Sequence, residues 1–210
     1  MFTTFPSCQF QAAHPQTAAK IRDYLKCRWN AETTGCCRSE ELKFQCGDTL
    51  VTVCLSCTAI LKERFPSCSV ITLYDLLEQD CEFCWPDARQ QAITVQDCAR
   101  ADASLRQVRG LLTRMNYAVH EMDEAAPPTC GTLLMNPISD RNRQSAPAYF
   151  KSLQAQVKIL DSAKQQKLLQ AQAGYYPDKQ VVAYCNSCYQ ALGSLNIERF
   201  HLLDLIFMKG

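Results

Sequence analysis

The chain has no run of about 18 apolar residues, so it offers no transmembrane helix. It has no surplus of charge of either sign: 22 Lys and Arg stand against 21 Asp and Glu, a formal net charge of +1. Nucleic-acid and acidic-membrane partners normally demand a basic face or run, so neither is supported. The opening MFTTFPSCQF has neither the basic nor the apolar region of a secretory signal. A cytoplasmic protein is therefore expected, in a compartment that keeps thiols reduced. No GxGxxG or GxxxxGK(S/T) marks a nucleotide site, and no serine–histidine–acid set stands out. The three histidines, His14, His120 and His201, lack the spacing of metal ligands.

What the chain does have is cysteine, fourteen in all, arranged twice over. Cys8, the pair Cys36 and Cys37, and Cys54-x-x-Cys57 form one series. Cys98, Cys130-Gly131 and Cys185-x-x-Cys188 form a second in the same order. The text around them repeats too. VTVCLSCTAIL from Val51 precedes TLYDLL at Thr72–Leu77, and VVAYCNSCYQAL from Val181 precedes HLLDLI at His201–Ile206. Cys54 to Asp75 spans 21 residues and Cys185 to Asp204 spans 19. Scattered structural cysteines would not keep order, neighbours and spacing. Without export, so many thiols point to metal or redox chemistry. A disulfide-stapled fold is the alternative, but 210 residues need no staples and CC and CxxC pairs make poor bridges.

The coarse pattern alternates short apolar strands with helices. In the first half an extended piece, Thr3–Gln9, ends at Cys8, and a helix starts at Pro15 and runs through Ile21 and Leu25. Thr33-Thr34-Gly35 reads as a turn delivering Cys36 and Cys37, and Ser39-Glu40-Glu41 as a helix start. Strands are expected at Leu50–Val53 and Ser69–Thr72, each followed by a helix. Residues 80–91 read as a connector. In the second half strands are expected at Ile93–Gln96, Tyr117–Met122 and Val181–Ala183, a helix at Ser104–Met115 and a loop at Asp123–Pro128. A helical insertion at about Ala148–Gln172 has no counterpart in the first half; it carries Leu153, Val157, Leu160 and Leu168 on one face, as a core-covering or a partner-docking helix would. The fold class is α/β: two pseudo-symmetric, cysteine-rich, Rossmann-like half-domains with short parallel sheets, residues 1–85 and 86–210. Ligands in such sheets sit at the carboxyl ends of the strands, where Cys8, Cys54, Cys98 and Cys185 fall.

A CxxC at a helix start is half of a metal site. Cys8, Cys36 and Cys37 complete the first set, and Cys98 and Cys130 the second. Zinc takes four ligands, and iron–sulfur clusters are commonly held by four thiolates. Five thiols therefore exceed both needs. Cys81-Glu-Phe-Cys84 is a third CxxC, in the connector, and suits a redox-active dithiol, an accessory ligand pair or two ordinary surface thiols. Cys27, Cys46 and Cys68 read as buried small apolar residues, Cys46 being the one nearest the first set. His14 follows Cys8 closely enough to reach a substrate, whereas His201 aligns with Thr72 of the other repeat. Arg100, Arg106, Arg109 and Arg114 cluster around a second-half helix, as a solvated face or as a device to steer an anionic thiol.

The order Cys, helix, CC(G), CxxC over nearly the whole chain resembles the duplicated cysteine-rich CCG domain. That domain occurs in the disulfide-reducing subunit of heterodisulfide reductase and in iron–sulfur subunits of lactate and glycolate oxidation. The first copy reads TGCCR at Thr34–Arg38, with Arg38 where the motif has Gly. The second reads PTCG at Pro128–Gly131, with Thr129 where it has the first Cys. The resemblance implies a 4Fe-4S oxidoreductase that reduces a disulfide at a non-cubane cluster held by Cys8, Cys36, Cys37, Cys54 and Cys57. It also implies a second centre at Cys98, Cys130, Cys185 and Cys188, which four thiols leave open between a cubane, a smaller cluster, zinc and an altered non-cubane cluster. There is no CxxCxxC run and no flavin motif, so electrons would come from an iron–sulfur or flavoprotein partner, with a small disulfide or thiol as substrate. The alternative is a non-catalytic, metal-stabilised scaffold, sensor or electron-transfer subunit.

Overall fold

A computed structural model of the chain describes residues 1–98, 107–123, 138–156 and 161–208. Arg100, Arg106, Thr129 and Cys130 lie outside this range, as do most of the Asp123–Pro128 loop and the start of the Ser104–Met115 helix. The chain divides into two units, Met1–Cys81 with Ile138–Gln156, and Glu82–Pro137 with Val157–Gly210. No helix among them is long and apolar enough to cross a membrane.

The first unit is built on a four-stranded, all-parallel sheet. Its strands are β1 (Phe2–Phe5), β2 (Glu32–Thr33), β3 (Thr49–Thr52) and β4 (Ser69–Thr72), in the order β2-β1-β3-β4. Helices α1 (Cys8–Ala13) and α2 (Pro15–Trp29) cross from β1 to β2, so the extended piece expected over Thr3–Gln9 is strand only to Phe5, and Ser7 caps a helix that opens at Cys8. Helix α3 (Leu55–Arg64) joins β3 to β4, and α4 (Leu73–Gln79) follows β4. The strands are short and apolar because helices cover both faces: Leu50 and Val51, neighbours that point to opposite faces, are both fully buried. Pro15 opens α2, as the sequence predicts, and Asn30 ends it in the left-handed region, φ 47°. Thr72 and Asp75 close a capping box at the start of α4.

The second unit repeats this plan. Strands β5 (Ala92–Gln96), β6 (Ala118–His120), β7 (Gln180–Ala183) and β8 (Glu198–His201) lie in the order β6-β5-β7-β8, all parallel. Helix α5 (Gln107–Arg114) precedes β6 and buries Val108, Leu111 and Leu112. The duplication read from the cysteines is thus a duplication of topology. Both units have the expected α/β, all-parallel architecture.

Three further expectations change. The insertion is not one helix over Ala148–Gln172. Asp161 accepts the Lys164 amide and so starts a new helix, giving α7 (Pro147–Gln156) and α8 (Ser162–Ala173), preceded by α6 (Asp140–Ser145). Leu153 is buried in α7, but Leu168 of α8 is exposed. Second, α6 and α7 belong to the first unit rather than the second half, with Glu63 of α3 accepting the Ala148 and Tyr149 amides at 2.8 and 3.0 Å. Third, Ser39-Glu40-Glu41 is a turn, not a helix start. Arg64 takes the Ser39 carbonyl, the first acceptor that a helix starting there would need, and the Cys37 carbonyl before it. The remaining helices are α9 (Asn186–Leu192) after β7 and α10 (Leu202–Phe207) after β8.

Candidate metal centres

In each sheet the chain reverses its direction of winding between two adjacent strands, β1 and β3 in one unit and β5 and β7 in the other. The carboxyl ends at such a switch point form the crevice where α/β sheets bind ligands. Cys8 and Cys54 follow β1 and β3, Cys36 and Cys37 follow β2, and Cys98 and Cys185 follow β5 and β7. Both CxxC motifs start helices in the same way: Cys54 and Cys185 are N-cap residues with φ/ψ of −130°/132° and −120°/126°. Their helices then carry Cys57 and Cys188 one turn in.

In the second unit three thiols meet. The sulfurs of Cys98, Cys185 and Cys188 all lie within 4.8 Å of one another, and each residue is at most 3% exposed. Register explains the meeting. Gln96 pairs with Ala183, and each of Cys98 and Cys185 lies two residues further on. Tyr184 then fixes Cys98: its buried hydroxyl accepts the Cys98 amide at 3.0 Å and donates to Asp97 at 3.1 Å. Burial pushes the Tyr184 pKa far above the ordinary tyrosine range, so this hydroxyl keeps its proton. Asn186, inside the CxxC, is 5% exposed, and neither amide atom has a hydrogen-bond partner among the described residues. A buried orphan amide beside three convergent thiols suits a site that a further group completes. Soft thiolate donors in such a set fit zinc or an iron–sulfur centre. This buried triad can hold a metal.

The first unit spreads its thiols more widely. Cys8 and Cys36 sulfurs are 3.7 Å apart, and Cys57 hydrogen-bonds with Cys37 and Cys54. Among the described residues no three thiols of this set match the mutual closeness of the second-unit triad. Here the register is offset: Phe5 pairs with Thr52, but Cys8 lies three residues beyond and Cys54 two. Ser7, in the left-handed region at φ 62°, turns the chain and caps α1 so that Cys8 opens that helix. The hydrogen bonds that the Cys57 thiol makes to Cys37 and Cys54, with burial, hold its pKa well above the ordinary thiol value. Burial and the Cys36 thiol raise that of Cys8. Burial opposes ionisation of Cys36, but the Arg38 amide and guanidinium and the Cys8 thiol outweigh it and lower its pKa.

Arg38 also donates to Asn142 of α6 at 2.8 Å. Arg64 donates to the Cys37 and Ser39 carbonyls at 2.7 and 2.9 Å. The two arginines fasten the Cys36–Cys37 loop beside a cleft of about 1080 Å³. Of the five thiols in the set, Cys36 alone lines it.

The other candidates fall elsewhere. Cys81 and Cys84 are exposed. Cys27 and Cys46 are exposed and Cys68 is half-buried, against the expectation of burial. For Cys27 the reason is that α2 buries a different stripe, Ala18, Ile21 and Leu25. His14 is buried and stacks on Phe10 at 4.8 Å, away from the role of a substrate contact. His201 caps α10 as Thr72 caps α4, matching the alignment of the repeats. Arg109 is not a free cation for steering an anion, since Asp97 and Glu121 both pair with it, and Arg114 lies over the Trp85 ring. Tyr184, Asn186, Arg64 and Arg141 were not legible as site residues. Adjacency to a CxxC was the only signal, and it served Tyr184 and Asn186 alone. No model of a known family, no curated protein and no solved structure matches this chain.

Proposed function

We propose that this chain is an iron–sulfur oxidoreductase subunit that reduces a disulfide, RSSR + 2e⁻ + 2H⁺ → 2RSH, with electrons drawn from an iron–sulfur or flavoprotein partner. One observation carries the reading: five thiols leave three adjacent parallel strands at the switch point of one sheet, and one of them, Cys36, opens on a cleft. Cys8, Cys36, Cys37, Cys54 and Cys57 would hold the cluster. A four-iron four-sulfur cluster there, non-cubane as the resemblance to the CCG domain suggests, would supply single electrons and an affinity for sulfur. The spread of the five thiols, a pair and a linked group of three, supports a centre larger than one tetrahedral ion. Cys36 faces the substrate space, the Arg38 guanidinium beside it favours its thiolate, and the exposed side of the cleft admits solvent protons for the two product thiols. Cys98, Cys185 and Cys188 would hold a second centre, with Cys130 as the fourth thiol in the motif.

Anaerobic purification followed by iron and acid-labile sulfide analysis tests this. Zinc without iron would overturn it. A paramagnetic signal that depends on added disulfide or thiol would support catalysis. A Cys37→Ser protein with full cluster content and full activity would remove the active-centre assignment.

A second reading has its own observation. The compact, buried triad in the second unit would become a closed structural site with Cys130 as its fourth thiol. It favours a metal-stabilised scaffold, sensor or electron-transfer subunit, with zinc in the second half. Reversible reduction without disulfide cleavage would select it.

A further inference from the structure

We propose that the cleft beside Cys36 takes a small disulfide of amino-acid type, and that Arg141 and the Glu40–Glu41 pair recognise its carboxylate and its ammonium group. This rests on the disulfide-reduction reading and narrows its substrate. The cleft, about 1080 Å³, is the size of a small-molecule pocket. Both charge signs line it, and their availability differs. The Arg38 and Arg64 guanidinia are engaged, by Cys36 and Asn142 and by two backbone carbonyls. Arg141, exposed on the first turn of α6, makes no side-chain hydrogen bond or ion pair with any described residue. The Glu40 and Glu41 carboxylates likewise pair with no cation among the described residues. Opposite charges that share one cleft would be expected to neutralise each other, and here they stand apart. A purely anionic ligand would meet the two glutamates, and a purely cationic one the three arginines. A zwitterion satisfies both, and places its disulfide toward the one lining thiol.

The test is equilibrium dialysis of the anaerobically purified full chain with radiolabelled cystine. Competition follows from 3,3′-dithiodipropionate, which is anionic only, cystamine, which is cationic only, and uncharged 2-hydroxyethyl disulfide. Cystine should bind at least about tenfold tighter than each of the three, the effect of one charge-assisted hydrogen bond. Arg141→Ala should weaken cystine about tenfold, and Glu40→Gln with Glu41→Gln should abolish its advantage over the diacid. Arg143→Ala removes the same charge from the same helix, but Arg143 already pairs with Asp140, so cystine binding should be unchanged. Equal affinity for the diacid, or equal losses in Arg141→Ala and Arg143→Ala, would overturn the assignment. Reduction of 2-hydroxyethyl disulfide without cystine preference would overturn the cleft assignment and keep the disulfide reading. Selective cystine binding without reduction would do the reverse.

Discussion

Tyr184→Phe removes one oxygen at a place where the structure makes its effect calculable. The hydroxyl accepts the Cys98 amide at 3.0 Å in a buried setting. Phenylalanine fills the same volume, so no cavity opens and the ring packing survives. The amide is left without that acceptor, which costs about 1–3 kcal/mol in a buried site. The bond to Asp97 adds little, because the Asp97 side chain is 52% exposed and water replaces the hydroxyl. The loss divides between fold and metal according to how far Cys98 moves. A partner that orients a ligand is worth about 10–100-fold in metal affinity. The assay is a chelator competition with cobalt(II) or zinc, paired with denaturant unfolding of the metal-free protein. The expected outcome is a tenfold or greater loss of affinity at the second-unit site, or an equivalent loss of stability of about 1.4 kcal/mol. Unchanged affinity together with a stability change below about 0.5 kcal/mol, the range of an inert surface substitution, would refute the role given to Tyr184.

Asp80 is buried and accepts the Tyr24 hydroxyl at 2.8 Å and Arg28 at 2.7 and 3.1 Å. Asp80→Ala should cost about 2 kcal/mol in chemical denaturation, less than for a fully buried pair because the Arg28 side chain is 38% exposed. Glu63→Ala should cost about 1 kcal/mol, as loss of a cap does, and should raise protease cleavage near α7. In metal-free protein at neutral pH, iodoacetamide should label Cys36 before Cys8 and spare Cys57, as read by peptide mass mapping. The Cys57 pKa is raised on folding, so its contribution is fully present below the ordinary thiol value of 9.0 and is lost as pH rises above it. Metal-free protein should therefore lose stability above that pH, and a flat or rising profile there would count against this environment for Cys57.

Local pattern carried most of the fold. Ser69–Thr72 and the helix from Leu73 are legible because an apolar run ends in a Thr-x-x-Asp capping signal. The strand β2 was not, because two exposed residues, Glu32 and Thr33, carry no hydrophobic pattern. The six-residue α1 is equally silent, and depends on Ser7 adopting a left-handed conformation that its sequence does not signal. The cysteine repeat marks the buried triad, because Cys98 and the second CxxC keep the order of the first series. The cleft is another matter. Arg38, Arg64 and Arg141 come together across a hundred residues of chain, through α6 packing in the first unit, and no local signal encodes that.

The two centres differ although the two sheets share one topology and the two CxxC turns share one backbone geometry. The difference must therefore lie in the strands that bring the remaining thiols. In the second unit the residue before the CxxC is Tyr184, whose hydroxyl reaches the adjacent strand end and draws the Cys98 backbone to the pair. In the first unit the matching residue is Val53, buried but unable to accept a hydrogen bond. Among the described residues no such side chain holds the Cys8 amide, and the extra residue between Phe5 and Cys8 carries it past the register that aligns Cys98 with Cys185. Cys8 pairs instead with Cys36, at the mouth of the arginine-lined cleft. One side chain and one residue of register thus distinguish a buried thiol triad from a set whose Cys8 is exposed and whose Cys36 and Cys54 are half-buried. A substrate needs a thiol that it can reach, and of the two sets only the first offers one outside the core among the described residues. That exposure is the physical reason to look for substrate at the first thiol set rather than at the buried triad.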